Sequence, residues 1–516
     1  MEFLKNNIHM NVVRKNLVTT FYVTQEGIVN EAYPAIEKII AHKERVVSDN
    51  VSVRNHQVVI DGSMSYEMMY YSEESDRVYG LEGEKNFQEI VKLPDVEEGE
   101  GSVRLEMIST SVKQIDSRRY LYKVGVMAYV TVEQIEDLEC IRLPQGEDAQ
   151  ILEKEIEMLA IKADKNEMVQ VHEIIRLPQG KPAIEKIVWK EVELQSVSTK
   201  VMDRQVEVSG ELSVFLMYRT DVENSPEQWL ETTIPFTQII ESEEATEGMV
   251  SYATVKLHTV NLAVQMNQDN ELKEIAIAAL LQMNIKLFEE KETSVIEDIY
   301  SPKRKMIPEF EEGKYYKLLV KNQARTKETI KVEVENTGER ILQLCHGSAE
   351  LRIENVIVGD NSIKILGKIL AKIIYVSTDD HNPICCRKKE IPFEHIVDAE
   401  NVRGQDKYYI DWRTEQITAN MISGNEVEMK VVIAMEVFVF REEKGVFLKG
   451  VREEEFQPEE LSKIPLIKGY VVDKGDTLWH LAKINHTTVE EIVRQNNLAG
   501  EKLKEGDKLL IVKSCQ

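Results

Sequence analysis

The residue types best suited to holding a metal sit at Cys385 and Cys386 with His381 and His395. Adjacent cysteines and lone histidines lack the paired spacing that wraps four ligands tetrahedrally around zinc, so no metal is expected there. Five cysteines in 516 residues, an odd number, build no disulfide framework and fit a reducing compartment. Carboxylates are abundant but run together from Asp95 to Glu100 and from Glu241 to Glu247, the pattern of solvated loops rather than of an acid–base pair. No Gly-rich loop ends in Gly-Lys-Ser or Gly-Lys-Thr, and neither His-Glu-x-x-His nor Gly-x-Ser-x-Gly occurs. The expectation is a protein that is not an enzyme and needs no cofactor.

Recognition chemistry is better represented near the C-terminus. Lys474-Gly475-Asp476-Thr477-Leu478-Trp479 and Asn496-Asn497-Leu498-Ala499 are two turn-forming stretches on either side of an amphipathic segment. Trp479 either packs beneath its helix or anchors a partner, since Trp is enriched at binding hot spots. Lys474 reads as a solvated turn residue that could also pair with an acidic partner. Around them the order is strand, helix, helix, strand. Gly475-Asp476-Thr477 turns out of the strand starting at Tyr470 and caps a helix carrying Leu478, Leu481 and Ala482 on one face. Thr488 and Glu491 have the spacing of a capping box, Asn496-Asn497 ends the second helix, and Gly506-Asp507 turns into the last strand. In so small a unit Leu478, Ile492, Val493, Leu498 and Leu509 are expected to be core.

The elements upstream are repeated. Pro34-Ala35-Ile36-Glu37-Lys38-Ile39 recurs as Pro182-Ala183-Ile184-Glu185-Lys186-Ile187, an offset of 148. The same offset pairs Met10 with Met158, Val13 with Ile161, Val23 with Val171, Gly62 with Gly210 and Tyr70 with Tyr218. A third copy carries Gly367 and Tyr375 at the same separation, and each copy runs on to a Phe: Phe87, Phe236, Phe393. Stretches such as Val206 to Leu216 and Val427 to Val431 alternate apolar and polar residues at period two, which predicts half-buried strands. The shared Gly predicts a bulge or a close backbone approach, and the shared Tyr a core aromatic. Ile141-Arg142-Leu143-Pro144-Gln145-Gly146 and Ile175-Arg176-Leu177-Pro178-Gln179-Gly180 suggest one turn used twice.

The fold class expected is mainly β: three tandem β-rich repeats followed by a small α/β domain of βααβ order. The boundaries read as 1–146, 147–305 and 306–455 for the repeats, 456–466 (with Pro458) for a linker, and 467–516 for the last domain. The net charge of -26 opposes a general nucleic-acid binder. Residues 469–516 hold seven basic and seven acidic side chains, so the acidity belongs to the repeats, with 57 basic against 83 acidic. The start has no basic and apolar leader pattern, which suggests that the chain stays in the cytosol. The longest apolar runs, Ile275 to Ile285 and Val431 to Phe440, fall short of a bilayer span, so no transmembrane segment is expected.

On the strand-Gly-strand-Tyr layout, the repeats resemble the SPOCS domain of spore coat proteins. On Gly-Asp-Thr-Leu-Trp, Val-Glu-Glu-Ile, Asn-Asn-Leu and Gly-Asp-Lys-Leu in order, the C-terminal segment resembles a LysM domain. The second resemblance implies a groove for N-acetylglucosamine polymers, with Gly475, Asp476, Thr477 and Leu478 on one side and Asn497, Leu498 and Ala499 on the other, and Lys474 and Trp479 at its margin. The combination is similar to coat morphogenetic proteins of the mother cell on the outer forespore surface. It implies that the LysM docks the coat-basement ATPase, stage IV sporulation protein A. A peptidoglycan or cortex binder is the alternative, and a cytosolic LysM cut off from glycan argues for a protein partner.

Overall fold

The computed structural model describes residues 4–142, 148–222, 225–334, 340–379, 382–457, 459, 462 and 464–514. The Leu143 to Gly146 copy of the duplicated turn, His381 and Pro458 lie outside the described residues. The first unit consists of β1 (Leu4–Ile28), β2 (Lys38–Arg54), β3 (Gln57–Ser72), β4 (Arg77–Lys92), β5 (Glu100–Gln114) and β6 (Arg119–Arg142). They form two three-stranded antiparallel sheets, ordered β2-β3-β4 and β1-β6-β5. The pattern returns with β7 (Gln150–Arg176), β8 (Ile184–Met202), β9 (Gln205–Thr220), β10 (Gln228–Glu241), β11 (Val250–Met266) and β12 (Leu272–Tyr300). It returns again with β13 (Lys305–Glu333), β14 (Ile341–Gly359), β15 (Ser362–Ser377), β16 (Ile384–Asp398), β17 (Lys407–Ser423) and β18 (Glu426–Glu454). The sheets are then β10-β9-β8 with β11-β12-β7, and β14-β15-β16 with β13-β18-β17. Period-two alternation gives each sheet one apolar face, and the two faces of a unit close on a common core. In the second unit that core joins Val206, Val208, Leu212 and Val214 of β9 to Ile275, Ile277, Ala279 and Leu281 of β12.

The shared glycine has a steric cause. Gly62 pairs across the sheet with Phe87, Gly210 with Phe236 and Gly367 with Phe393. A Cβ on Gly62 would stand 2.4 Å from the Val47 carbonyl oxygen and 2.5 Å from the Phe87 ring, and one on Gly367 2.2 Å from the Arg352 carbonyl oxygen. On the other neighbour the ladder skips a residue beside the glycine, at Asp49 in β2 and Glu354 in β14. Bulge and close approach therefore occur together, and the ring covers the space left by the missing side chain. Tyr70, Tyr218 and Tyr375 are core aromatics, each at most 1% exposed, with the Tyr70 hydroxyl donating to the Pro34 carbonyl at 3.0 Å. The Ile175 to Gly180 copy of the duplicated motif ends β7 and turns, with Gly180 at φ 88°.

The three units meet at a shared centre. A second bulge recurs in the first strand of each β2-type sheet, at Ile40, Val188 and Cys345. These residues pack in one cluster with Met69, Met217 and Ile374 of the middle strands. Beside that cluster equivalent positions carry unlike charges: Lys43 faces Glu67 across the ladder, Glu191 faces Phe215, and Ser348 faces Lys372. The Glu191 carboxylate, 2% exposed, accepts from Lys372 of the third unit and from its own neighbour Trp189 at 3.2 Å. His346 Nε2 lies 3.4 Å and Lys43 Nζ 3.8 Å away. Burial alone would raise the Glu191 pKa, but the surrounding Lys372, Lys43 and His346 outweigh it and hold the carboxyl well below its ordinary value. A second meeting point, among the β1-type sheets, gathers Val13 of β1, Ile161 of β7, Phe288 of β12, and Phe438 and Phe440 of β18.

The last domain is β19 (Ile467–Val471), α1 (Leu478–Ile484), α2 (Val489–Asn496) and β20 (Lys508–Val512), with β19 and β20 antiparallel. Val472, Leu478, Leu481, Ala482, Ile492, Leu509 and Ile511 form its core, and Tyr300 of β12 joins them. Among the described residues no helix is long and apolar enough to cross a membrane.

Candidate binding site

The loops that precede α1 and follow α2 are built by local hydrogen bonds. Gly475 adopts φ 97°, a value that a side chain resists. Asp476 accepts from the Tyr470 hydroxyl and from the Asp473 amide, each at 2.9 Å, and these bonds lower its pKa. Thr477 is the N-cap of α1, accepting from the His480 amide at 3.1 Å. In the loop after α2, Asn497 closes that helix in the left-handed region at φ 51°. Asn496 next to it accepts from the Leu510 amide and donates to the Leu510 carbonyl, each at 2.7 Å, tying the end of α2 to β20. The capping box is half made: Thr488 accepts from the Glu491 amide at 3.1 Å, while the Glu491 carboxylate turns to Arg494 and Gln495.

The residues expected to bind divide into two groups. Lys474, Gly475, Thr477, Asn497 and Ala499 are exposed, and Asp476 and Leu498 half-buried, so the loop pair is open to a ligand. Leu478 is 3% exposed and belongs to the core, which corrects its placement as a groove-lining side chain. It is the first apolar residue of an amphipathic helix, and its face is spent on the interior.

Trp479 packs against the second unit. Its indole N–H donates to Asp298 Oδ2 at 2.8 Å, and its ring meets that of Tyr300 edge-on with centroids 4.9 Å apart. Lys483, one helical turn on, donates to both Asp298 oxygens at 2.6 and 2.8 Å. The Tyr300 hydroxyl donates to the Thr487 carbonyl at 3.0 Å. A bulge that skips Glu297 aims this pair. Beyond it the strand alternation sends Asp298 and Tyr300 to the LysM side and Ile299, 0% exposed, to the other. Burial would raise the Asp298 pKa, but the Lys483 and Trp479 hydrogen bonds outweigh it and keep the carboxyl below its ordinary value. Trp479 is half-buried between domains. The sequence reading missed Asp298 and Tyr300, and they carry no motif. The available signal was the difference between repeats at equivalent strand ends.

Among the described residues no three His, Cys, Asp or Glu side chains group to hold a metal. Cys385, Cys386 and His395 lie along one strand, β16. Asp95 of the first acidic run lies 3.1 Å from Lys15 in an exposed ion pair.

The architecture defines a protein of tandem β-sandwich units that carries a small βααβ binding module. The family model described as SipL, SPOCS domain, matches residues 35–115, 183–265 and 340–422, and the LysM domain model matches 470–512. The chain carries three SPOCS repeats and a C-terminal LysM domain. Both are non-catalytic binding families, and the combination is that of a sporulation coat protein. LysM domains point to N-acetylglucosamine polymers such as peptidoglycan. Searches of curated proteins and of solved structures each found no match. The SPOCS matches cover the β2-type sheet and the strand that follows it, and β1, β6 and their counterparts lie outside the matched residues.

Proposed function

We propose that this chain is a non-enzymatic assembly protein of the spore coat, acting in the mother cell at the outer forespore surface. Its three-unit body carries one LysM domain, seated on the second unit, that docks the coat-basement ATPase, stage IV sporulation protein A. The observation that carries the reading is the seating of the LysM on β12 with Lys474 to Thr477 and Asn497 to Ala499 turned outward. A domain held this way recognises its ligand through the loops while the body sets where the ligand is delivered. Co-purification from sporulating cells should recover the ATPase with the full chain and lose it when residues 465–516 are removed. Equal recovery from both would overturn the docking role.

The open loops also favour a second reading, binding of an N-acetylglucosamine polymer, since Trp479 is engaged elsewhere and the loop pair is not. Sedimentation with insoluble peptidoglycan separates the two. Retention of the full chain, lost with Ala499→Glu, supports glycan recognition; no retention leaves the protein partner.

A further inference from the structure

The clasp between the LysM and the body distinguishes the second repeat from the third. The seven alternating buried residues from Ile275 to Leu287 of β12 align with Val427 to Val439 of β18, and the same alignment places the bulge at Glu297 on a bulge at Lys449. At that equivalent end the third unit carries Gly450 and Arg452 where the second carries Asp298 and Tyr300. Arg452 would repel Lys483, and Gly450 offers no acceptor side chain. The LysM follows the third unit in the chain, yet it seats on the second, because that unit holds the complementary pair.

What the flank of α1 recognises is therefore explicit: a carboxylate for Lys483 and the indole N–H, beside a ring standing edge-on to the indole. Trp, with a nearby cation, has the composition of a protein hot spot rather than of an ordinary domain seam. Tyr300 is buried in the contact, but Asp298 and Lys483 keep 24% and 38% side-chain exposure, so water can compete for the ion pair. It forms because the linker holds both halves at high effective concentration.

We propose that the α1 flank bearing Trp479 and Lys483 is a docking surface for an extended protein segment presenting an acidic and an aromatic residue two positions apart. Asp298 and Tyr300 fill it within the chain, so such a segment binds from outside only when the clasp opens. The surface is separate from the loop pair, and the proposal stands whichever ligand those loops take. Apparent affinity for an outside segment scales with the open fraction.

The test titrates a labelled peptide of residues 293–301 into the full chain and into the full chain carrying Asp298→Ala and Tyr300→Phe, with hydrogen exchange as a second readout. Exchange across 478–488 and the linker should rise in the variant while β8, β9 and β10 stay protected. The peptide should bind the variant about tenfold or more tighter than the parent, and Trp479→Ala added to the variant should abolish binding. Equal binding to both chains, no binding to the variant, or unchanged exchange at 478–488 would overturn the proposal. If β8 to β10 also loosen, Asp298→Asn, which keeps the shape and removes the charge, replaces the double change under the same criteria.

Discussion

Two junctions hold this molecule together, and they are built on opposite terms. At the centre of the body Glu191, Lys372 and His346 are nearly excluded from water inside an apolar cluster drawn from all three units. At the LysM clasp Asp298, Trp479 and Lys483 are bonded too, but the Asp298 and Lys483 side chains stay 24% and 38% exposed. Removing one partner at the centre strands a charge in a medium that cannot solvate it, whereas at the clasp water takes the partner's place. The same chemistry is thus a permanent joint in one setting and a separable one in the other.

Breaking the central joint should have the largest effect. Glu191→Ala should cost about 3–5 kcal/mol of unfolding free energy, measured by urea titration of the full chain. Replacing the pair together, Glu191→Leu with Lys372→Met, should recover most of that loss; no recovery would mean that the charges are not coupled. Next, Gly367→Ala should destabilise by about 1–3 kcal/mol through the clash with the Arg352 carbonyl. Gly210→Ala should cost less, because its nearest contact, at 2.8 Å, is a ring tip rather than backbone.

The clasp should respond differently. Asp298→Ala should shift the seated LysM toward release by about 1–2 kcal/mol. The melting of the body should stay put, so faster proteolysis of the linker without a change in body melting is the expected signature. Thr477→Ala should cost the LysM alone about 1 kcal/mol through loss of the α1 cap, visible as faster amide exchange in 478–484. The mildest effect is that of acid. The Asp298 carboxyl is held below its free value of 3.8, so its contribution is complete above that pH and fades as pH falls through the lowered value. Linker cleavage by an acid-active protease should therefore accelerate below pH 4 in the parent and show no such step in Asp298→Ala.

Much of this was legible before folding because it is periodic. Alternation at period two gave the strands, the 148-residue offset gave the copies, and Gly with Phe marked the place where a strand must approach its neighbour without a side chain. The LysM loops were equally readable, since Gly475, Thr477 and Asn497 act through their own backbone within a few residues. Leu478 was misplaced because one residue was asked both to line a groove and to fill a core of a few side chains, and the core took it.

The sequence by itself determined the mainly β composition, the three copies, the βααβ module and the loops that face outward, since all of these follow from local periodicity and turn chemistry. Tertiary structure decided the rest. That Lys43 and Lys372 converge on Glu191 across three repeats, and that Trp479 meets Asp298 and Tyr300 some 180 residues away, depends on which faces are brought together. Charge complementarity acts over a few ångströms, and only the closed arrangement of the units sets those distances.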